Sequence, residues 1–159
     1  MSMSFQSKQS QSKQVQNQTH KGLMTAIFSS ANDHDIEKTL NNLPKEIVNY
    51  QSDDFYEETL LMRAVWMLRV PIVKLLLTLR ANVKYTTSTG ESVSTYWDHD
   101  KFSESPKHME SACQIAELLH QAGVDLSQNS DESWSLVKRA KVYQLQPLIQ
   151  TLNRLGYKI

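Results

Sequence analysis

Cysteine occurs once in the 159 residues, at Cys113, so no internal disulfide can form. A lone thiol excludes a stapled secreted scaffold and fits a reducing, cytoplasmic setting. Glycine is scarce, with four residues, and no phosphate-cradling glycine loop is present. Paired cysteines and an H-E-x-x-H helix are also missing, which removes the common zinc sites. Net charge is absent too: 17 Lys and Arg balance 17 Asp and Glu. That balance argues against a dedicated nucleic-acid binder, whose affinity rests on neutralising phosphates, and gives no support for an anionic membrane. No apolar run nears the ~18 residues of a membrane span, and the first 20 residues lack the apolar centre of a secretory signal.

What remains is a globular composition, 40% hydrophobic and 21% charged, enough for one domain with its own core. Ser and Gln fill 11 of the first 20 positions, with little to bury. Ordering such a stretch costs roughly 1–2 kcal/mol per residue, so 1–20 reads as a flexible tail, with a short amphipathic helix within it as the alternative because Gln is an acceptable helix former, and 21–159 reads as the folded domain.

From Lys21 onward the hydrophobic spacing is helical. Leu23–Phe28 and Ile36–Leu43 mark a first pair, with Asp33 or Asp35 as the cap of its second helix. Thr59–Met67 and Pro71–Leu79 form a second pair. Pro71 suits a helix's first turn, where its missing N–H costs nothing. Val93–Trp97 precedes a polar insertion at 98–110. Ala112–Gln121 follows and stops at Gly123, a left-handed terminator. Trp134–Val142 and Pro147–Leu155 close the chain before Gly156. No strand pattern is present, so the expected class is all-α.

The pairs repeat. Pro71-Ile72-Val73-Lys74-Leu75-Leu76-Leu77 overlays Pro147-Leu148-Ile149-Gln150-Thr151-Leu152-Asn153 at an offset of 76. The same offset places Thr59 on Ser135, Ala64 on Ala140 and Leu79 on Leu155. Gly123 precedes Gly156 by 33 residues and follows Arg80 by 43, so one interval is stretched. A period near 33 signals stacked units that bury their apolar faces only against one another.

The run Glu58-Thr59-Leu60-Leu61-Met62-Arg63-Ala64-Val65, then Ile72–Leu77 and Ala81-Asn82-Val83, resembles an ankyrin repeat, whose pattern is G-x-T-P-L-H-x-A, V-V-x-L-L-L and G-A-D-V-N. Gly123-Val124-Asp125-Leu126 looks like the same closing turn, as does Val48-Asn49. The departures are Leu60 at the usual Pro, Met62 at the hydrogen-bonding His and Arg80 at the turn Gly. The resemblance covers about 21–159 and implies an ankyrin-repeat solenoid of about four helix-turn-helix units.

It also implies where a partner protein binds: the turn tips and the inner face of each first helix. Carried over residue by residue, this nominates Phe55, Tyr56, Glu58, Trp66 and Met67 in the second unit. His99 and Asp100 follow in the third, and Trp134, Val142 and Tyr143 in the fourth. Large aromatics at such positions mark protein contact surfaces. Trp97, beside the insertion, reads as core, while Trp66 divides evenly between core and contact.

The implied function is a non-catalytic protein–protein interaction module: an adaptor, an inhibitor, or a small bacterial effector or immunity-type protein. Such a module is cytoplasmic, with delivery into a host cell if the chain is a bacterial effector. It works as a monomer, without cofactor, nucleic acid or membrane insertion. The alternative is a metal-dependent enzyme or metal-binding protein using Asp98, His99, Asp100 and His108, whose spacing matches no standard site. A third reading is assembly by stacking between copies. Cys113 is expected near a helix start, where a dipole favours the thiolate, or as a small packed residue. His20, His34 and His120 read as surface or capping residues.

Overall fold

A computed structural model describes residues 5–29, 31–51 and 56–159, and among these the chain is helical with no strand. Helix α1 spans Phe5–Phe28 and α2 spans Asp33–Asn41. A 3-10 turn follows at Lys45–Asn49. Next come α3 (Leu60–Trp66), α4 (Val70–Thr78), α5 (His99–Glu104), α6 (Pro106–Gln121), α7 (Leu136–Val142) and α8 (Gln146–Arg154).

The offset of 76 holds to the residue in the backbone. Helices α3 and α7 begin and end 76 apart, as do α4 and α8. Thr59 and Ser135 cap the first helix of each pair by accepting the N–H three residues on, both at 3.2 Å. Pro71 and Pro147 sit in the first turn of the second helix. Leu68 and Gln144 take the same left-handed φ, 55° and 53°, between the two helices. Each second helix closes with a bond five residues back: Ala81 to Leu76 (2.9 Å), Val124 to Leu119 (3.0 Å) and Tyr157 to Leu152 (3.0 Å). This is the Schellman arrangement, with Arg80, Gly123 and Gly156 at the left-handed residue.

Packing follows chain order. Helices α2, α4, α6 and α8 lie side by side in that sequence, α1 packs on α3, and each of α4 and α8 packs on its own partner. Small residues at the crossings, Ala64, Ala112, Ala116 and Ala140, are fully buried. Around them sit Leu61, Ile72, Leu76, Ile115, Leu119, Leu136, Leu148 and Leu152, one continuous apolar core. Side-chain bridges join successive pairs. Asn49 accepts the Asn82 N–H (2.7 Å), Ser94 donates to the Gln128 carbonyl (2.9 Å), and the Tyr157 hydroxyl accepts from Leu126 N–H (3.1 Å).

Several expectations need correction. The Ser/Gln-rich stretch is helical from Phe5, as the first turns of α1, and most of its described side chains face solvent. Asn32, not Asp33 or Asp35, caps α2, accepting the His34 N–H at 2.8 Å. The insertion folds into α5 and the first turns of α6, anchored by Phe102, buried edge-on against Trp97. Between α4 and α5 the stretch Val93–Trp97 makes only turns, so the third unit has no first helix there. His20 is not a surface residue: it is fully buried, edge-on to Tyr50, and desolvation lowers its pKa to about 4.

Candidate interaction surface

The segment Ser92–Asp100 lies between α3 and α7: Tyr96 reaches Glu58 and Trp66 on one side, and Ser94, Thr95 and His99 bond to Leu136 and Arg139 on the other. In α7, Leu136 and Ala140 turn inward to the core. The helical period therefore puts Lys138 and Val142 on the outward side, while Arg139 is half-buried at the edge of the apolar stripe and Tyr143 follows the end of the helix. Trp134 lies just before the cap. Trp134, Val142 and Tyr143 are 39%, 48% and 44% exposed, large apolar groups left in water together.

They form one arrangement with His99. The Tyr143 and His99 rings stack at 4.1 Å and 13°. Trp134 lies 6.4 Å from Tyr143 and carries the Lys138 ammonium 4.7 Å above its ring. Beneath, Arg139 donates to the Trp134 carbonyl (3.0 Å), the Thr95 carbonyl (3.2 Å) and His99 Nδ1 (3.2 Å). A guanidinium can only donate, so Nδ1 accepts and the proton of the neutral imidazole sits on Nε2. That atom faces the Asp100 carboxylate at 3.4 Å. Sequence reasoning named five of these residues and missed Lys138 and Arg139. The overlay that places Ala64 on Ala140 also places Arg63 on Arg139, which is the signal that would have found it.

A second cluster occupies the same place in the α3 unit. Trp66 is half-buried, tilted against Tyr96 at 5.1 Å. Tyr96 donates its hydroxyl to Glu58, whose other carboxylate oxygen lies 2.5 Å from Arg63. Arg63 also covers the Phe28 ring at 5.6 Å. Lys101 reaches across to the Trp66 carbonyl (3.5 Å) and the Met67 sulfur (3.1 Å). Glu58 does not present itself at a turn tip: it is 2% exposed and internally bonded. Burial raises its carboxyl to about 7, against the pull of Arg63. Met67 is half-buried. Tyr56 is 88% exposed in a turn, with φ 52°. Phe55 lies outside the described residues. Trp97 is core, its indole N–H donating to the Val93 carbonyl at 2.9 Å.

The Asp/His group near the insertion does not converge. His99 is committed to Arg139, Tyr143 and Asp100, whereas His108 pairs with Glu104 at 3.2 Å. Among the described residues no three His, Cys, Asp or Glu side chains share a point where a metal could sit. Cys113 is not at a helix start but in the middle of α6, half-buried, and burial pushes its thiol pKa up. Among the described residues no helix is long and apolar enough to cross a membrane. Compared with known proteins, the chain matches no family model and no curated sequence.

Proposed function

We propose that this protein is a non-catalytic protein-binding module, an ankyrin-like stack of four helical units whose inner face grips one partner protein. The observation that carries the reading is the cluster of Trp134, Val142, Tyr143 and His99. A folded chain gains by covering such side chains, and rigid aromatic groups ringed by polar ones are the anchors on which interfaces depend. Support for the stack comes from the backbone itself: identical helix bounds, caps and closing bonds 76 residues apart. Helices ordered α2, α4, α6, α8 agree with it. The chain works as a monomer in the cytoplasm, and its partner is a protein rather than a nucleic acid.

Affinity capture from the native extract tests the reading, with a Trp134→Ala/Tyr143→Ala double variant as control. The wild-type chain retains a partner that the variant loses, while the variant's melting midpoint stays within a few degrees. A variant that captures the same partner equally well ends the proposal.

A further inference from the structure

The zero net charge conceals a strong asymmetry. Residues 133–159 carry Lys138, Arg139, Lys141, Arg154 and Lys158 and no Asp or Glu. The fold gathers three of these around one groove. On the far side of α7 from the core, a depression of about 460 Å³ is lined by Lys138, Lys141 and Lys158 and by aliphatic groups of Val137, Val142 and Ile159. No acidic side chain lines it. Asp125 lies two residues before Ser127 of the lining, and its carboxylate accepts the Ser127 N–H (3.0 Å) and hydroxyl (2.6 Å), bonds that hold it ionised, so it offsets the three lysines only in part. Lys138 and Val142 belong both to this groove and to the exposed face beside Trp134, so groove and aromatic patch form one surface.

We infer that this end of the stack receives an acidic segment of a partner protein, one that alternates carboxylates with apolar side chains. The inference rests on the protein-binding reading above and adds the chemistry of the partner. Three lysine side chains at one groove, none of them in an ion pair among the described residues, give it a positive potential that favours an anionic occupant. The aliphatic floor calls for apolar side chains between those anions. A single-stranded nucleic acid fits less well, because it relies on free aromatic faces for stacking. Trp134 and Tyr143 each already have a face covered, by Lys138 and His99.

The test is an NMR titration of the full chain with a short alternating Glu–Leu peptide, its Gln–Leu and Lys–Leu analogues, and oligothymidylate. The Glu–Leu peptide shifts the amides of Val137, Lys141, Val142 and Ile159. Its affinity drops about tenfold or more in a Lys138→Glu/Lys141→Glu/Lys158→Glu variant that retains its melting midpoint, and drops with added salt. A triple Lys→Gln variant falls between the two and guards against misfolding of the reversed one. Equal binding of the Gln–Leu peptide, no binding of the Glu–Leu peptide, or binding of oligothymidylate alone overturns the inference. The extract capture separates the two readings. A partner lost by Trp134→Ala/Tyr143→Ala but kept by the charge-reversed chain leaves the module standing and ends the acidic partner. A partner kept by both variants ends the interface itself.

Discussion

The α3–α4 and α7–α8 units share a backbone and differ in the side chains they carry on it. In the first, a glutamate, an arginine and a tyrosine close over one another, and Trp66 leans on Tyr96. In the second, the position of Glu58 is Trp134, that of Trp66 is Val142 and that of Met67 is Tyr143, all left open to water. Arg63 and Arg139 occupy the same site in both, but one neutralises a buried carboxylate and the other splints aromatic groups from below. The same backbone thus carries an internally bonded cluster in the middle unit and exposed aromatic groups in the end unit, the surface proposed for binding. Changes in the middle unit should therefore appear as stability, and changes in the end unit as binding.

The largest break of that pattern is at Arg69, whose counterpart is Leu145. Arg69 donates to the carbonyls of Ala26, Ile27 and Ser29 at 3.0–3.3 Å and to that of Ala31, and it pairs with Asp33. It caps the end of α1 and holds the first helix pair to the second. Arg69→Ala leaves those carbonyls with no donor in a mostly buried place and costs about 3 kcal/mol, read as a lower urea midpoint. Lysine does not rescue it, because a point charge cannot serve so many acceptors at fixed angles.

Next is pH. The Glu58 carboxyl ordinarily titrates near 4.5 and does so at about 7 in the folded chain. Between those values the native state holds a proton that the unfolded chain releases, so stability falls as pH rises through the window. His20 works the other way. Its pKa drops from 6.5 to about 4, so the unfolded chain holds the extra proton and stability rises over that range. The two act in opposite directions over an overlapping range. Glu58→Gln removes one side of the balance, and urea midpoints then climb steadily from pH 4 to 6.5. Were they to stay flat, neither burial would be shaping stability. The end unit has Trp134 where Glu58 stands and adds no such dependence.

Trp66 and Tyr143 give the direct comparison. Trp66→Ala removes a half-buried ring and its contact with Tyr96, costing about 2 kcal/mol. Tyr143→Ala removes an exposed ring and costs under about 1 kcal/mol while abolishing partner capture. Thermal melts and capture on the two variants invert if the roles of the units are reversed.

The helices and their periodicity were legible because each pair had to bury one apolar face, which writes a period into the sequence. The closing turns were legible at Gly123 and Gly156 for the same reason: only a left-handed residue ends a helix that way. Two things were not. Residues 5–20 carry no apolar stripe, so nothing in their composition distinguishes a helix continued from Leu23 and Met24 from a loose tail. Glu58 and His20 are buried polar residues, and burial of a single polar side chain depends on neighbours 38 or 30 residues away, such as Tyr96 and Tyr50. Of the candidate site, the aromatic members were readable from position alone. The arginine beneath them became readable only through the overlay of the two units.

The smallest effect is also the cleanest, because it touches no side-chain contact of the inner face. Arg80 holds φ 63° where Gly156 holds 98° at the matching turn, and Leu68 and Gln144 share values near 54°. A side chain in that region costs roughly 1 kcal/mol relative to glycine, partly offset by the greater freedom glycine has when unfolded. Arg80→Gly and Gln144→Gly, both at exposed positions, therefore raise the unfolding free energy by up to about 1 kcal/mol. Gly156→Ala lowers it by a similar amount, since its backbone is left-handed although a Cβ there would meet nothing within 4 Å. Leu68→Gly gains the same backbone relief but empties a buried site, so its sign reverses. Equilibrium denaturation of the four variants separates the two contributions: gains at Arg80 and Gln144 and a loss at Gly156 report the backbone alone, while a loss at Leu68 reports the emptied side-chain site.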